Sequence, residues 1–481
     1  MLNRIYIIIV ISTLAFISCD NLDNLNDNPK SPTDVPSSSL FLAGQKNLAD
    51  TYSSISWASS PFRVLAQTWT QTSYMNEAQY QFANNNAPGG WWDKIYTTVL
   101  ANLAESKTLY DNDNSSSTVK NNKKLITDIL EVYSYSLLVS TYGDIPYSEA
   151  LNRKIPFPKY DDAKEVTYDL ISRLDTDITG LDATAGSFGS VDQIYAGNVA
   201  QWKKFAATLK LKLALLIADA DPTTASTKVK EAITSGVFTS NSDNAKFKYV
   251  SGVVANSNPI WQDIVVGTSA VYYAPSALFV NTLNELNDPR LPILFEKNPN
   301  GGYSGAIPGQ GGTNQELSKF SNFWLSASSP SVLLDYSETL FLLAEAVERN
   351  IVSAKSAETY YNEAITASIS DLGATGDQAN SYLNQSKVAY TTAIGDWRQK
   401  IGTQKWLAFA NRNWDSWTEI RRLGHPNLDV LSPPVNAISK LPVRFYYPPK
   451  EQNSNSAHWK EAVSKLTGGE DIVSAKLFWQ R

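Results

Sequence analysis

Apolar residues recur at intervals of three and four along most of the chain, the pattern of helices that bury one face. Trp92, Tyr96, Val99 and Leu103 form one stripe. Leu125, Ile129, Val132, Ser136 and Val139 form a second, and Val166, Leu170, Leu174 and Ile178 a third. The clearest runs through Val199, Trp202, Phe205, Leu209, Leu213 and Leu216. Four such helices separated by turns predict stacked helical hairpins of tetratricopeptide type, although no strict repeat of about 34 residues is visible. Helical spacing returns over Leu333 to Arg349 and over roughly Ala354 to Ser370. From Ile401 a single long helix is predicted, stopped at Gly424 and kept stopped by Pro426. Its three tryptophans (Trp406, Trp414, Trp417) require burial on several sides. Arg412, Arg421 and Arg422 are then expected to cap carbonyls or pair with carboxylates. Between the two helical parts, residues 238–331 lose periodicity and gain Gly, Pro, Asn and Ser, which predicts loops carried on a rigid scaffold. The fold class is mainly α, with few short strands.

The N-terminus breaks this pattern. Arg4 precedes an almost wholly apolar run from Ile5 to Ile17, too short to span a bilayer comfortably, which ends at Ser18-Cys19. A small residue before the single Cys of the chain, at the end of such a run, predicts a lipoprotein signal peptide over 1–18 and acylation of Cys19. Phe16 stands where a lipobox usually has Leu. Residues 19–39, rich in Asn, Asp, Pro and Ser, read as the acylated tether. One Cys builds no disulfide framework.

Charge and composition narrow the chemistry. The net charge of −6 and the absence of a basic run argue against nucleic acid. Neither histidine, His425 nor His458, has a metal-ligand partner at helical spacing. Asp111 to Ser115 begins like a calcium loop, but Ser116 and Asn122 stand where Gly and a bidentate Glu are needed, so it reads as a solvated turn. The glycine run from Gly301 to Gly312 lacks the Gly-Lys-Ser/Thr of a phosphate loop. No nucleophile elbow or dinucleotide fingerprint appears, and no cofactor is implied. Aromatic side chains are plentiful, and those outside the helical stripes are the candidates for ligand contact: Trp57, Trp69, Tyr74, Tyr80, Trp91, Trp261, Tyr273 and Trp324. A sugar ring stacks its C–H face on an aromatic plane, with Asn84 to Asn86, Asn256, Asn258 and Gln262 as a polar rim for its hydroxyls. Two to four of these aromatics are expected to line one shallow site.

Several segments resemble one family. Tyr142-Gly143-Asp144-Ile145-Pro146-Tyr147-Ser148-Glu149-Ala150 is similar to the YGDxPYxEA signature of SusD/RagB proteins. Asp288-Pro289-Arg290-Leu291 is a second match, and Tyr336 to Ala346 resembles the YxExxFLLAEA helix. Gln404-Lys405-Trp406 with Asn413 to Gly424, and Arg444 to Asn453, resemble its closing segments. The resemblance implies one SusD-like domain over 40–481, in which 40–237 is mostly helical, 238–331 loop-rich, 332–427 helical again and 428–481 C-terminal. It further implies a surface-exposed outer-membrane lipoprotein that binds oligomeric nutrient, glycan in preference to peptide, and delivers it to a SusC-like TonB-dependent transporter. It does not imply an enzyme. Another class would be a lipid-anchored glycosidase, with Asp144 and Glu149 as its paired carboxylates.

Overall fold

The computed structural model describes residues 35–428 and 440–480. The signal peptide, Cys19, most of the tether and the start of the C-terminal segment lie outside the described residues. Helix α1 (Ser37–Ser53) takes in the last three residues of the predicted tether. It packs on a continuous helix over 87–109, in which a π-helical stretch, Lys94–Leu100, joins two α-helical ones. Trp92, Tyr96, Val99 and Leu103 of that helix are all buried, as their spacing predicts. Helices α2 (Ser117–Tyr142), α3 (Ala163–Gly180), α4 (Val199–Leu216) and α5 (Pro222–Ser235) follow, each packed against the one before it. Side-chain caps set their starts: Ser116 accepts from Val119 N–H, Asp162 from Lys164 and Glu165, Asn198 from Gln201, and Asp221 from Thr224. Among the described residues no helix is long and apolar enough to cross a membrane.

Three expectations are corrected. Helix α6 spans Tyr336–Glu348, because Ser331–Leu334 is a strand paired with Ala245–Phe247, and α7 (Ala357–Asp371) packs against that helix. Residues 238–331 are not loop alone: they also hold a nine-residue helix, Ala277–Glu285. The long C-terminal helix is two, α8 (Trp397–Ala408) and α9 (Asn413–Leu423). Periodicity could not show the break, since Phe409, Ala410 and Arg412 inside it are as buried as their helical neighbours. Gly424 does end α9, at φ 75°.

Asp144 is buried and serves another element rather than its own turn. Its Oδ1 accepts the N–H of Ala163, the first residue of α3. Glu149 accepts from Lys159 N–H instead, so the two carboxyl groups hold separate pieces of backbone. The calcium-like loop is likewise committed: Lys124 pairs with Asp111 and Lys123 with Asp113.

The core is crossed by a lattice of buried charges centred on α9. Lys212 of α4 meets Glu338 of α6 and Asp415 of α9. Arg412 pairs with Asp335, Glu338 and Asp415. Lys405 of α8 pairs with Glu419 at 2.6 Å, and Arg422 with Glu345 and Glu419. Arg349 continues the chain to Asp219 at 2.9 Å. Burial alone would push the Glu345 carboxyl up, but Arg422, Arg349 and Lys405 hold it below the ordinary carboxylate range. This lattice fixes which faces of α4, α6, α8 and α9 can meet, which apolar packing alone leaves open.

A second cluster sits between α2 and α3, where Arg173 and Lys107 both pair with Asp128 and Glu131. Asp177 lies beside it, 1% exposed, with Oδ2 unbonded among the described residues. Burial first, and then the like charge of Asp128, push its carboxyl up to about 9. An unfolded Asp ionises near 3.9. The native state therefore holds an extra proton between those values, and this contribution to stability declines as pH rises through that window. Asp177→Asn removes the slope. Thermal melts at pH 5, 7 and 8.5 should show the variant gaining on the parent as pH rises, by more than about 1 kcal/mol at the highest pH.

Candidate functional site

Two short strands bring distant aromatics together. Strands β1 (Trp69–Gln71) and β2 (Tyr273–Pro275) pair antiparallel, with Trp69 opposite Pro275 and Gln71 opposite Tyr273. The pairing extends by one bond, Thr72 N–H to Tyr272 C=O at 2.9 Å. Tyr273 is buried and donates its hydroxyl to Ile55 C=O at 2.8 Å, while Tyr272, which ends the 3-10 turn Ser269–Tyr272 just before the strand, is only half-buried. Just past β1 the chain turns through Tyr74, whose φ of 52° throws its ring to the surface, 65% exposed. Tyr74 and Tyr272 meet edge to face with centroids 5.3 Å apart. The half-buried Trp57 lies 6.3 Å from each. These three rings form an open aromatic arc.

The arc rests on fixed supports. Gly90 of the 87–109 helix lies directly against the backbone beside Trp57: a Cβ there would sit 1.8 Å from Ala58 O. The glycine run packs on the other side. Gly312 N–H reaches Thr72 C=O, and Gln79 donates to Gly309 C=O. Gly305 approaches β2 so closely that a Cβ would lie 2.6 Å from Pro275 O and Ala277 N. Asn314 ties the same loop to Ala270 C=O. Beside the arc Val271 is exposed, as are Val265 and Val266 on the turn that leads to it. On that turn Asp263 is half-buried, its carboxylate has no hydrogen-bond partner among the described residues, and burial pushes its carboxyl up.

The structure sorts the predicted contacts. Trp57 and Tyr74 lie in the arc. Tyr272 belongs there in place of its neighbour Tyr273, a distinction set by where the strand begins, which sequence does not reveal. Trp69 and Trp324 are core: their rings meet edge to face at 5.1 Å, and Trp69 stacks on Phe320 at 4.0 Å. The Arg63 guanidinium lies over both, 4.9 and 5.0 Å from the ring centres. Trp91 is wholly buried, edge-on to Phe62 at 4.7 Å. Tyr80 is buried and accepts from Gln67 Nε2. Trp261 is half-buried on the short helix Pro259–Trp261, and no ring contact joins it to the arc among the described residues.

Most of the predicted polar rim has structural work. Asn258 is buried and caps that helix, and Gln262 donates to Ser257 C=O. Asn84 and Asn85 bond to Asn76 and Glu77. Asn86 opens the 87–109 helix in a left-handed conformation. Asn256 stays exposed. Asp263 was not among the expected rim residues, since a lone Asp in a loop carries no signal. Among the described residues no group of His, Cys, Asp and Glu could hold a metal ion.

A SusD-like family profile, described as "Starch-binding associating with outer membrane", matches residues 29–448. No curated protein matches the chain. Among solved structures, a chitin-binding protein is similar at 26% identity and TM-score 0.80, covering 92% of this chain and 99% of its own. A SusD homologue from Bacteroides uniformis shows 26% identity and TM-score 0.77 over 92% and 99%. A chitin-binding SusD homologue from Flavobacterium johnsoniae shares the fold at 24% identity and TM-score 0.76, over 91% and 98%.

Proposed function

The chain belongs to the SusD-like family of starch-binding proteins that associate with the outer membrane, binding proteins rather than enzymes, and on that premise we propose that it captures an oligosaccharide on the arc of Trp57, Tyr74 and Tyr272. The observation that carries this reading is the arc itself: three aromatic rings from separate segments converge at the surface, although a ring left in water forgoes its burial energy. Pyranose C–H faces stack on such rings, and the unengaged Asp263 carboxylate would take ring hydroxyls. The open shape suits an oligomer that must be released again.

In this reading Cys19 carries acyl chains that hold the protein to the outer membrane, facing the cell exterior, with residues 19–39 as its tether. The captured glycan passes to a SusC-like TonB-dependent β-barrel, over which the protein acts as a lid. Starch-derived and chitin-derived oligomers are the first ligands to try, because the family description and two structural relatives name those glycans. Calorimetric titration of the mature, unacylated chain with malto-oligosaccharides, chito-oligosaccharides and a mixed peptide digest tests the class. Saturable binding of one glycan series is expected. Binding of peptide alone would replace the reading with peptide capture.

A further inference from the structure

The loop that follows the Tyr142–Ala150 signature takes no part in the arc or in the core charge lattice. Residues 151–159 read Leu-Asn-Arg-Lys-Ile-Pro-Phe-Pro-Lys, with three cations and no acid. Leu151 and Phe157 are exposed, Phe157 at 54%. The loop is braced. Pro156 and Pro158 bracket Phe157 and fix φ on either side of it. Asn455 donates to Pro158 C=O at 2.8 Å, Glu149 accepts the Lys159 N–H at 2.9 Å, and Asn152 accepts the N–H groups of Lys154 and Ile155. Leu151 sits at φ 64°, a left-handed conformation that costs a leucine energy. A strained and braced loop that holds a phenylalanine ring in water points to a use for that ring outside the molecule.

Its place in the fold indicates the partner. Arg153 reaches to within 3.6 Å of Glu105. The next residue, Ser106, donates to Ser37 C=O at 2.7 Å, at the start of α1. The end of the chain that leads back to Cys19 therefore emerges beside this loop. Val35 is sixteen residues on from Cys19, a reach of at most about 58 Å. Around the two apolar side chains stand Arg153, 92% exposed, Lys159, and Lys154, which has no acidic partner among the described residues. Glu105 and Asp161 offset two of the three charges, so this is not a polybasic patch and long-range attraction does not carry it. What the loop offers is an apolar wedge with cations on long stems at its rim. That arrangement seats in a lipid headgroup layer: the ring and the leucine enter the boundary, and the stems bring their charges to phosphates. A protein partner would call for a broader apolar face than two side chains. We propose that the 151–159 loop is a second membrane contact, which rests on the anchoring through Cys19 proposed above and fixes how the body sits on the phospholipid surface.

Cys19 is the chain's only cysteine, so residues 19–481 can be coupled through it to a maleimide-bearing lipid, whether or not the cell acylates it. The vesicles are phosphatidylethanolamine with phosphatidylglycerol, and the reference is the same chain capped with a soluble maleimide. Amide hydrogen exchange reads the contact. The 386–396 loop, where Ile394 is 82% exposed, serves as the internal control. Exchange across 151–159 should slow at least fivefold on vesicles, with 386–396 unchanged. Phe157→Ser, alone or with Leu151→Ser, should abolish the slowing, and thermal melts show that these variants are folded. Equal exchange on vesicles and in solution overturns the proposal and leaves the loop to a protein partner. Slowing that persists in a folded variant, or that spreads equally over both loops, overturns it as well. The intact mass of the chain extracted from membranes reports acylation of Cys19 by itself, so failure of the anchor and failure of the loop contact are told apart.

Discussion

Arg422→Met should cost about 3–5 kcal/mol of folding stability, measured by chemical denaturation at neutral pH. Arg422 is 2% exposed and bonds both oxygens of Glu345 and of Glu419. Methionine fills much the same space, so the loss is electrostatic rather than a cavity. Glu345 keeps Arg349 and Glu419 keeps Lys405, yet each is left half-compensated in a site that water does not reach. The direction with pH follows. Burial opposes ionisation of Glu345 and Glu419, but the surrounding cations hold both carboxyls below their ordinary value. A depressed native pKa gives stability that is present above the unfolded value, near 4.3, and is lost as pH falls below it. The parent chain should therefore lose stability steeply in acid, and Arg422→Met should show a shallower loss.

Trp69→Ala should be as damaging, at about 3–5 kcal/mol, and for a different reason. Its ring is 1% exposed and touches Phe320, Trp324 and Tyr273, with Arg63 over its face. The substitution empties the layer on which β1 and β2 rest. The indole Nε1 has no hydrogen-bond partner among the described residues. Trp69→Phe should therefore keep most of the stability, within about 1.5 kcal/mol of the parent. A large loss for Ala with a small one for Phe identifies Trp69 as packing, not as a ligand contact.

The same comparison shows what the sequence could and could not convey. The stripe of α3 was legible because that helix buries one side, and those of α2 and α4 because their apolar residues keep the 3.6-residue period, a local property, even where the helix is buried all round. The division of α8 from α9 was not. Most of α8 from Ile401 on, most of the link and all of α9 are buried, so polarity does not mark the break. Burial of Arg412, Arg421 and Arg422 could be foreseen as pairing, but beyond the local partners Asp415 and Glu419 not their distant ones, which lie on elements some 70 to 280 residues away. The arc was half legible. Trp57 and Tyr74 sit in loops, where an aromatic has no helical stripe to join. Tyr272 and Tyr273 are adjacent, and only the pairing of β2 with β1, which takes in Tyr273 and not Tyr272, decides which is buried. Trp69, Trp91 and Trp324 were indistinguishable from ligand contacts, since a ring in a short irregular segment can pack inward as readily as outward. Asp263 matters only through its neighbours in space.

The central claim, that the arc is where glycan binds, is tested most directly by titrating one oligosaccharide that binds the parent chain against Trp57→Ala/Tyr272→Ala, with thermal melts run alongside. Both positions are partly open to solvent, so their loss should leave the melting temperature within a few degrees. The predicted result is a folded variant whose affinity has dropped at least tenfold, about 1.4 kcal/mol or more. Undiminished affinity in a folded double variant would contradict the account and place the glycan elsewhere on the molecule.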